Sequence, residues 1–475
     1  MTFRSFTLAS LSALALAGCA VGPDYVANSP HPAASGPFIS TGAPPVSASP
    51  LPADWWRLYD DPVLDGLIAD ALSANTDVRQ AAARIERARA GLRGARADRL
   101  PQTSIEAGGS YSRLSESQVS PGADRQSWGY DAGFEVGYEL DLFGRVGRSV
   151  EAARADLAAS QADADAVRVI VVADTTRAYA DAASGAARLE VARDIVRLLD
   201  QSLALATRRH DAGLETGLAV AQIATLREQR AAEIPAIEAE RQAALFRLAT
   251  LTGRAPAELP AIAGERSIGL EIHDPIPIGD GAALLARRPD IRAAERRLAA
   301  DTARIGVATA DLYPRITLGA GIGSVGPDIG DLFTGGPLNW VLGSLLSWGF
   351  PNQEPARARI AAAEADTQGS LAAFDGTVLQ ALEETETALS NYARALERRA
   401  ALQSASQQAE RTVRIISAQQ REGTINSLAR LDAERTLAEA RAQLASQDAL
   451  VSRTQIDLFR ALGGGWSSDQ AADHS

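Results

Sequence analysis

The pair His210-Asp211 places side by side two residue types that can bind a metal ion or act as a general base. The other histidines are scattered, and the absence of lysine removes Schiff-base chemistry and the P-loop lysine. An adjacent His-Asp at a helix end is usually solvated, and no second cluster of ligands accompanies it. The sequence therefore predicts a protein that is not an enzyme and has neither a metal site nor a cofactor.

The single cysteine, Cys19, indicates a different chemistry, the attachment of lipid. Before it, a short run of apolar or small residues at 6–17 follows Arg4, which is typical of an export signal. The run ends in Leu16-Ala17-Gly18-Cys19, which resembles the bacterial lipobox, in which the cysteine is lipidated and becomes the new N-terminus. We therefore predict a signal peptide at 1–18 and a lipid anchor on Cys19, with no intrachain disulfide.

The residues after Cys19 also bear on location. Ala20 stands where an aspartate would resemble an inner-membrane retention signal, so sorting to the outer membrane is favoured. The stretch that follows is rich in Pro, Ser, Gly and Ala, and residues 19–61 are predicted to form a lipid anchor with an extended arm. No apolar segment of membrane-spanning length follows the signal peptide, so no transmembrane helix is predicted.

The composition excludes some classes of protein. The 475 residues are 46% hydrophobic and 22% charged, a globular type of composition that argues against wholesale disorder. A net charge of -12 argues against a nucleic-acid partner, because phosphate binding needs a basic stripe and none stands out.

The chain contains an internal duplication of about 210 residues. Asp77-Val78-Arg79 recurs as Asp290-Ile291-Arg292, and Gly213 recurs as Gly423. The duplication predicts a first repeat at 62–260 and a second at 261–466, followed by a polar tail at 467–475.

Each repeat is predicted to begin with a helix and two strands. Pro101 and Pro314 end the first helices, because a proline disfavours helical backbone in the residue before it. The predicted helices are at about 62–99 and 279–312. The predicted strands are at about 102–114, 127–143, 315–325 and 337–350.

A long helical hairpin is predicted to complete each repeat, from about 150 to 251 and from about 356 to 461. The turn of the first hairpin contains Gly213 and Thr216, and the turn of the second contains Gly423 and Thr424. Apolar residues recur every seven positions from Leu437 to Leu458, with alanines between them, which indicates coiled-coil packing.

Residues 128–142 alternate between an apolar and a polar or bare face, the period of a β-strand. We expect the acids of the second face to line a lumen and to favour cations there; they are Asp131, Glu135, Glu139 and Asp141. Four strands with an apolar outer face cannot close a membrane barrel, because bacterial barrels need eight or more. Other copies of the chain must complete the barrel: two copies would give eight strands and three would give twelve.

Several motifs resemble those of the outer-membrane efflux lipoproteins of the TolC and OprM type, often called the NodT family. They are C-A-V-G-P-D-Y, W-W-R-L-Y-D-D-P-V-L-D-G-L-I, Y-E-L-D-L-F-G-R, R-R-P-D-I-R-A-A-E-R-R-L, A-D-L-Y-P-R-I-T-L and A-L-G-G-G-W. The resemblance implies a mixed α and β membrane protein of a Gram-negative outer membrane. It further implies a homotrimer with a twelve-stranded barrel, continued by a helical coiled-coil tunnel in the periplasm and docked to a periplasmic adaptor and an inner-membrane pump of the RND type.

The same resemblance implies a gate at the periplasmic tip of the tunnel, formed by a leucine and an aspartate four residues apart. These positions fall on Leu428 and Asp432, which share a helix face. The equivalents in the first repeat are Leu218 and Gln222, so the acid is present in one repeat only. A solvated helical aspartate is the alternative interpretation of Asp432.

Other functions compatible with parts of this pattern are a periplasmic coiled-coil adaptor, a structural lipoprotein and the outer-membrane channel of a protein secretion system. An adaptor has no use for long strands with lipid-type outer faces and aromatic ends. The sequence does not identify the transported substrate, since a passive tunnel leaves that choice to its pump.

Lipidation of Cys19 can be tested on the mature protein. Mass spectrometry of the mature N-terminus should find diacylglycerol on Cys19. An unmodified N-terminus that begins at another residue contradicts the prediction.

Overall fold

The structure, a computed structural model, describes residues 20–27, 32–42, 46–120, 122, 124–272, 274–334, 338–422, 424–425 and 427–466. The predicted signal peptide, Cys19, Gly423 and the predicted polar tail lie outside the described residues. The chain divides into two compact units. Unit 1 comprises Met1–Asn28, Arg84–Gln161 and Ala293–Asp375, and unit 2 comprises Ser29–Ala83, Ala162–Arg292 and Gly376–Ser475.

Long helices and a few strands make up most of the described chain. The strands are β1 (Val46–Ser47), β2 (Gln102–Arg113), β3 (Gln126–Leu140), β4 (Ile276–Pro277), β5 (Arg315–Gly326) and β6 (Leu338–Ser347). The α-helices are α1 (Pro62–Ala74), α2 (Thr76–Ala97), α3 (Arg145–Asp211), α4 (Gly217–Ala231), α5 (Ile234–Leu251), α6 (Gly281–Arg287), α7 (Pro289–Ala310), α8 (Glu354–Arg421) and α9 (Ser427–Ala461). Among the helices so described, none is both long enough and apolar enough to cross a membrane.

Unit 1 contains an antiparallel sheet in the order β2-β3-β5-β6. The four predicted strands are confirmed to within three residues at each end. β2 and β6 are the edges of the sheet, and every residue in both of them is exposed. Each edge strand therefore presents one row of backbone groups that no other strand of this sheet pairs.

One face of the sheet is apolar across all four strands. Phe134 lies opposite Ile105 of β2 and Ile322 of β5, and Ile322 lies opposite Trp340 of β6. These side chains are open to the surroundings, with exposed fractions of 81% for Ile105 and 74% for Trp340. We call this surface the apolar face; its large exposed hydrophobic side chains mark a surface that something apolar covers.

The opposite surface, the polar face, carries acids, small polar residues and glycines on β2, β3 and most of β5, whereas β6 adds Val341 and Leu345 to it. Glu135 lies opposite Ser104 of β2 and Gly321 of β5, because successive side chains of a strand point to opposite faces. The alternation predicted for residues 128–142 thus holds across the strands paired with β3.

The helices that open the two repeats are each broken in two, where single helices were predicted. Asn75 ends α1 and caps α2: its side-chain oxygen accepts hydrogen bonds from the N–H groups of Asp77 (2.8 Å) and Val78 (3.3 Å). In the second repeat, Arg288 is extended and Pro289 begins α7. The prediction was wrong here because a side-chain cap and a helix-initiating proline both allow a new helix to start.

The return helix of the first hairpin is also interrupted, at residues 232–233, because Pro235 lacks an N–H group and its ring obstructs the carbonyl one turn earlier. At the corresponding position the second repeat has Ala445, and α9 runs unbroken.

The ends of the hairpin helices are nearly identical in the two repeats. Leu214 N–H donates to Arg209 C=O at 2.8 Å, and the corresponding Thr424 N–H donates to Gln419 C=O at 3.1 Å. Between the first pair, Gly213 adopts φ +72°, the left-handed conformation that this helix ending requires. The internal duplication is thus visible in individual hydrogen bonds.

The hydrophobic core of unit 2 joins two of the motifs described above. Trp55, fully buried, stacks on Phe459 with ring centroids 4.5 Å apart. A Cβ atom added to Gly464 would lie 2.6 Å from Trp55 Cδ1, so this position accepts only glycine without rearrangement. The W-W-R-L-Y and A-L-G-G-G-W motifs therefore pack on one another.

Candidate functional site

The polar face of the sheet holds acids that lack a cationic partner. Asp131 and Glu135 are exposed, and within the described chain neither forms an ion pair. Glu106 of β2 also belongs to this face, because it lies opposite Gly133, the residue midway between these two acids. Glu106 was not predicted, although its alternation with Ile105 is the signal that places it there.

Glu139 lies at the end of β3 and is not a free acid. Its carboxylate accepts two hydrogen bonds of 2.7 Å from the guanidinium of Arg145, in a bidentate ion pair, and Arg315 lies 3.8 Å away. Asp311 pairs with Arg315 at 3.5 Å and with Arg359 at 3.0 Å. We call these five residues the strand-end cluster; they line a cavity of about 290 Å³.

The strand-end cluster shows that arginines balance the charge of Glu139, and the position of Glu139 in a lumen stays a prediction. The hydrogen bonds that Arg145 donates to the Glu139 carboxylate raise the pKa of Arg145 against the opposing effect of burial. One ion pair of the cluster could be predicted from the sequence, because Asp311 and Arg315 are opposite charges four residues apart in A-D-L-Y-P-R.

Asp141 lies one residue beyond the end of β3 and has backbone partners of its own. β3 ends at Leu140, and the Asp141 carboxylate accepts hydrogen bonds from the backbone N–H groups of Val146 (3.0 Å) and Gly147 (2.7 Å). Both donors lie in the first turn of α3, where unpaired N–H groups and the helix dipole favour a negative charge. Asp141 therefore stabilises the start of α3.

The hairpin turn of the first repeat is held by local hydrogen bonds. Thr216 caps α4 by accepting a hydrogen bond from Ala219 N–H at 3.3 Å. The ring of His210 contacts the Glu215 carbonyl at 2.9 Å, which gives the histidine a role in the turn. Among the described residues, no three ligand-type side chains come together as a metal site would require. In the second repeat, Thr424 follows the end of α8.

The structure brings Asp432 and Gln222 together, the two positions related by the duplication. Both line a cavity of about 370 Å³ between α4 and α9, together with Leu226 and Leu431. The Asp432 side chain is 70% exposed and pairs at 3.1 Å with Arg435, one turn farther along the same helix. Such an exposed pair contributes little to stability, so Asp432 remains available to other partners.

The two leucines of the expected gate are described to different extents. Leu218 is 68% exposed in the first turn of α4. The backbone of Leu428 lies in the first turn of α9, and its side chain lies outside the described part of the structure.

Comparison with known proteins shows the same duplication. A family described as outer membrane efflux protein matches residues 67–254 and again residues 282–464. Outer membrane protein OprJ of Pseudomonas aeruginosa is 32% identical over 466 residues, which cover 98% of this chain and 96% of OprJ. A protein named probable outer membrane lipoprotein SilC, of Salmonella typhimurium, is 30% identical and covers 95% of this chain and 96% of its own length. The solved structure of the outer-membrane channel OprN is similar with a TM-score of 0.87 and 35% identity, over 94% of this chain and all of OprN.

The bidentate pair at the strand end can be tested by substitution. Glu139→Gln should destabilise the chain by about 2 kcal/mol, because it leaves the partly buried Arg145 guanidinium without its carboxylate. Glu135→Gln, on the same strand and without a partner, should change stability by less than about 0.5 kcal/mol. Thermal unfolding in detergent compares the two variants, and equal effects would show that the pair does not stabilise the strand end.

Proposed function

The chain belongs to the outer membrane efflux protein family, and from this we propose that three copies of it form one transport channel. The protein is an outer-membrane channel component of an efflux system in a Gram-negative bacterium. The observation that carries the proposal is the open four-stranded sheet, with an exposed apolar face and with the outer edges of β2 and β6 unpaired within the described chain.

A sheet whose apolar face meets lipid cannot leave its edges open. Each unpaired backbone group in hydrocarbon costs several kcal/mol, so membrane strands occur in closed barrels. In the proposed assembly β6 of one copy pairs with β2 of the next. Closure then places the polar face inside, where it lines the passage for the cargo.

The number three follows from the family resemblance, and it fits the strand count. Three copies of four strands give a twelve-stranded barrel, which lies in the range of bacterial outer-membrane barrels. The two hairpins of each chain then supply the helices of a periplasmic tunnel. A periplasmic adaptor and an inner-membrane pump of the RND type open its tip, and small molecules pass without chemical change.

The lipid anchor belongs to the same proposal. Cys19 carries the acyl chains that hold the N-terminus in outer-membrane lipid, as its place in L-A-G-C supports. The name of SilC, a probable lipoprotein, is in keeping with this anchor.

Ion selectivity tests whether the polar face lines the pore. The wild-type channel should prefer cations, because three copies each of Glu106, Asp131 and Glu135 raise the local cation concentration. The combined variant Glu106→Gln, Asp131→Asn and Glu135→Gln should lose most of that preference. Reversal potentials in planar bilayers give the measurement.

The matched control for selectivity is Glu116→Gln, in the loop between β2 and β3, which should leave the preference nearly unchanged. An anion-selective wild-type channel would mean that these acids do not face the pore, and a protein that forms no conducting pore would refute the channel itself.

The gate is tested by single-channel conductance. Asp432→Ala should raise conductance by removing the acid from the tip, and Leu428→Ala should raise it by removing a hydrophobic plug. The double variant should conduct more than either single variant. Gln222→Ala changes an uncharged side chain in the same cavity as Asp432, so it should alter conductance little. Flat conductance across the series, with trimers intact, would leave Asp432 as a solvated helical acid.

A further inference from the structure

Two helices of unit 1, one from each repeat, cover one another. Arg148 of α3 lies against Gly306 of α7, where an added Cβ atom would lie 2.8 Å from the Cγ atom of Arg148. Farther along the same two helices, Arg304 of α7 forms an ion pair of 2.6 Å with Asp156 of α3. Ala303, one turn from Gly306, is only 1% exposed. We call this the α3–α7 contact.

The α3–α7 contact follows from the order of the strands. β3 leads into α3, α7 leads into β5, and β3 and β5 are antiparallel neighbours in the sheet. The helices attached to the same end of these two strands therefore lie side by side. In the same way α2 leads into β2 and β6 leads into α8, but β2 and β6 are the two edges of the sheet.

The duplication identifies the residues of α2 and α8 that correspond to the α3–α7 contact. The alignment of D-V-R with D-I-R places Arg93 of α2 at the position of Gly306. The alignment of the two hairpin glycines places Ala358 of α8 at the position of Arg148. The large residue is thus on the other helix, and the two positions remain complementary in size.

The ion pair of the α3–α7 contact has a counterpart as well. Asp366 of α8 stands at the position of Asp156, and Gly91 of α2 stands at the position of Arg304. Arg87 lies one turn from Gly91 on the same face of α2. Arg87 is therefore the cation of α2 that is placed to meet this acid.

The corresponding surfaces of α2 and α8 are open to solvent in a single chain. Three buried residues of α7 have exposed equivalents on α2: Ala299, Ala300 and Ala303 correspond to Glu86, Arg87 and Ala90. Buried residues of α3 have exposed equivalents on α8: Arg148, Ala152 and Ala159 correspond to Ala358, Ala362 and Gly369. What covers these surfaces in one pair of helices is thus missing from the other.

The charges on the two open helices are opposite. In unit 1, α2 exposes arginines that form no ion pair within the described chain; they are Arg84, Arg87, Arg93 and Arg96. From 360 to 375, α8 contains acids and no basic residue, and these acids are likewise unpaired within the described chain; they are Glu364, Asp366 and Asp375. A contact of α2 with α2 would bring arginines together, so the charges favour α2 against α8.

We propose that α2 of one copy packs antiparallel against α8 of the next copy, on the surfaces that correspond to the α3–α7 contact. Arg93 then lies over Ala358, and Arg87 pairs with Asp366. The inference rests on the proposed function, in which β6 of one copy pairs with β2 of the next, because that pairing brings α8 of the first copy beside α2 of the second. The contact is head-to-tail, since each copy offers a basic helix to one neighbour and an acidic helix to the other.

The first experiment forms a disulfide between copies of the full-length protein in mild detergent. Arg93→Cys and Ala358→Cys in one chain should give covalent dimers and trimers after oxidation, seen on a denaturing gel without reductant. Both positions are exposed in a single chain, so the substitutions leave its core unchanged.

Two controls show whether the disulfide reports this interface. Each single variant, which retains Cys19, should give no covalent oligomer. Arg93→Cys combined with Glu364→Cys should also give none, because Glu364 lies about a third of a turn away from Ala358 around α8.

The second experiment exchanges the charges of the proposed ion pair. Arg87→Glu and Asp366→Arg should each lower the temperature at which the trimer dissociates in detergent, because each variant opposes like charges across the contact. The double variant should restore most of the loss. Asp375→Arg, on the opposite side of α8 from Asp366, should leave the dissociation temperature nearly unchanged.

Failure of the interface and failure of the proposed function give different results. Trimers without the disulfide between positions 93 and 358, or with equal crosslinking at position 364, overturn the interface and leave the channel standing. A double charge variant that dissociates as readily as the single variants also overturns it. A wild-type chain that remains monomeric in detergent and in lipid refutes the three-copy channel, and the interface with it.

Discussion

The constraint on which the rest of this structure depends is the need of every backbone group in lipid for a hydrogen-bond partner. A four-stranded sheet satisfies its inner strands and leaves one side of β2 and one side of β6 open. The exposed apolar face indicates that the sheet lies in lipid. In lipid, the unpaired backbone groups at the open edges would be too costly. In the proposed channel, oligomerisation is therefore a condition for the sheet to exist in the membrane. The helical part of the proposed channel shares the symmetry that this closure imposes.

The duplication explains why one chain contains two pairs of strands and two helical hairpins. The two copies differ at a few positions. One hydrogen bond at the helix end is retained in both copies, from Leu214 N–H to Arg209 C=O and from Thr424 N–H to Gln419 C=O, and in the first copy it accompanies the left-handed Gly213. The copies differ at Pro235 and Ala445, where one return helix is broken and the other is continuous. They differ again at Gln222 and Asp432: in the cavity between α4 and α9, one copy contributes an amide and the other contributes an acid.

Sequence reasoning succeeded wherever structure follows from local period or from glycine and proline. The strands follow from a period of two, and the hairpin turn follows from Gly213 and its neighbours. It failed where the deciding partner is distant or is a side-chain cap. Asn75 breaks a helix because its side chain accepts from two N–H groups in the first turn of the next helix and donates to the Leu251 carbonyl at 3.0 Å, a distant partner that no local pattern predicts. Glu139 and Asp141 share the alternation of the free acids, and only the fold shows that one meets Arg145 and the other a helix start.

The absence of lysine gives the ion pairs of this protein a one-sided response to pH. Every fixed side-chain cation other than a protonated histidine is a guanidinium, which keeps its proton at a higher pH than a lysine ammonium does. Alkaline conditions therefore leave both partners of a guanidinium–carboxylate pair charged. Acid weakens such a pair, because protonation of the carboxylate removes its negative charge. The ion pairs of this protein therefore meet their electrostatic limit on the acidic side.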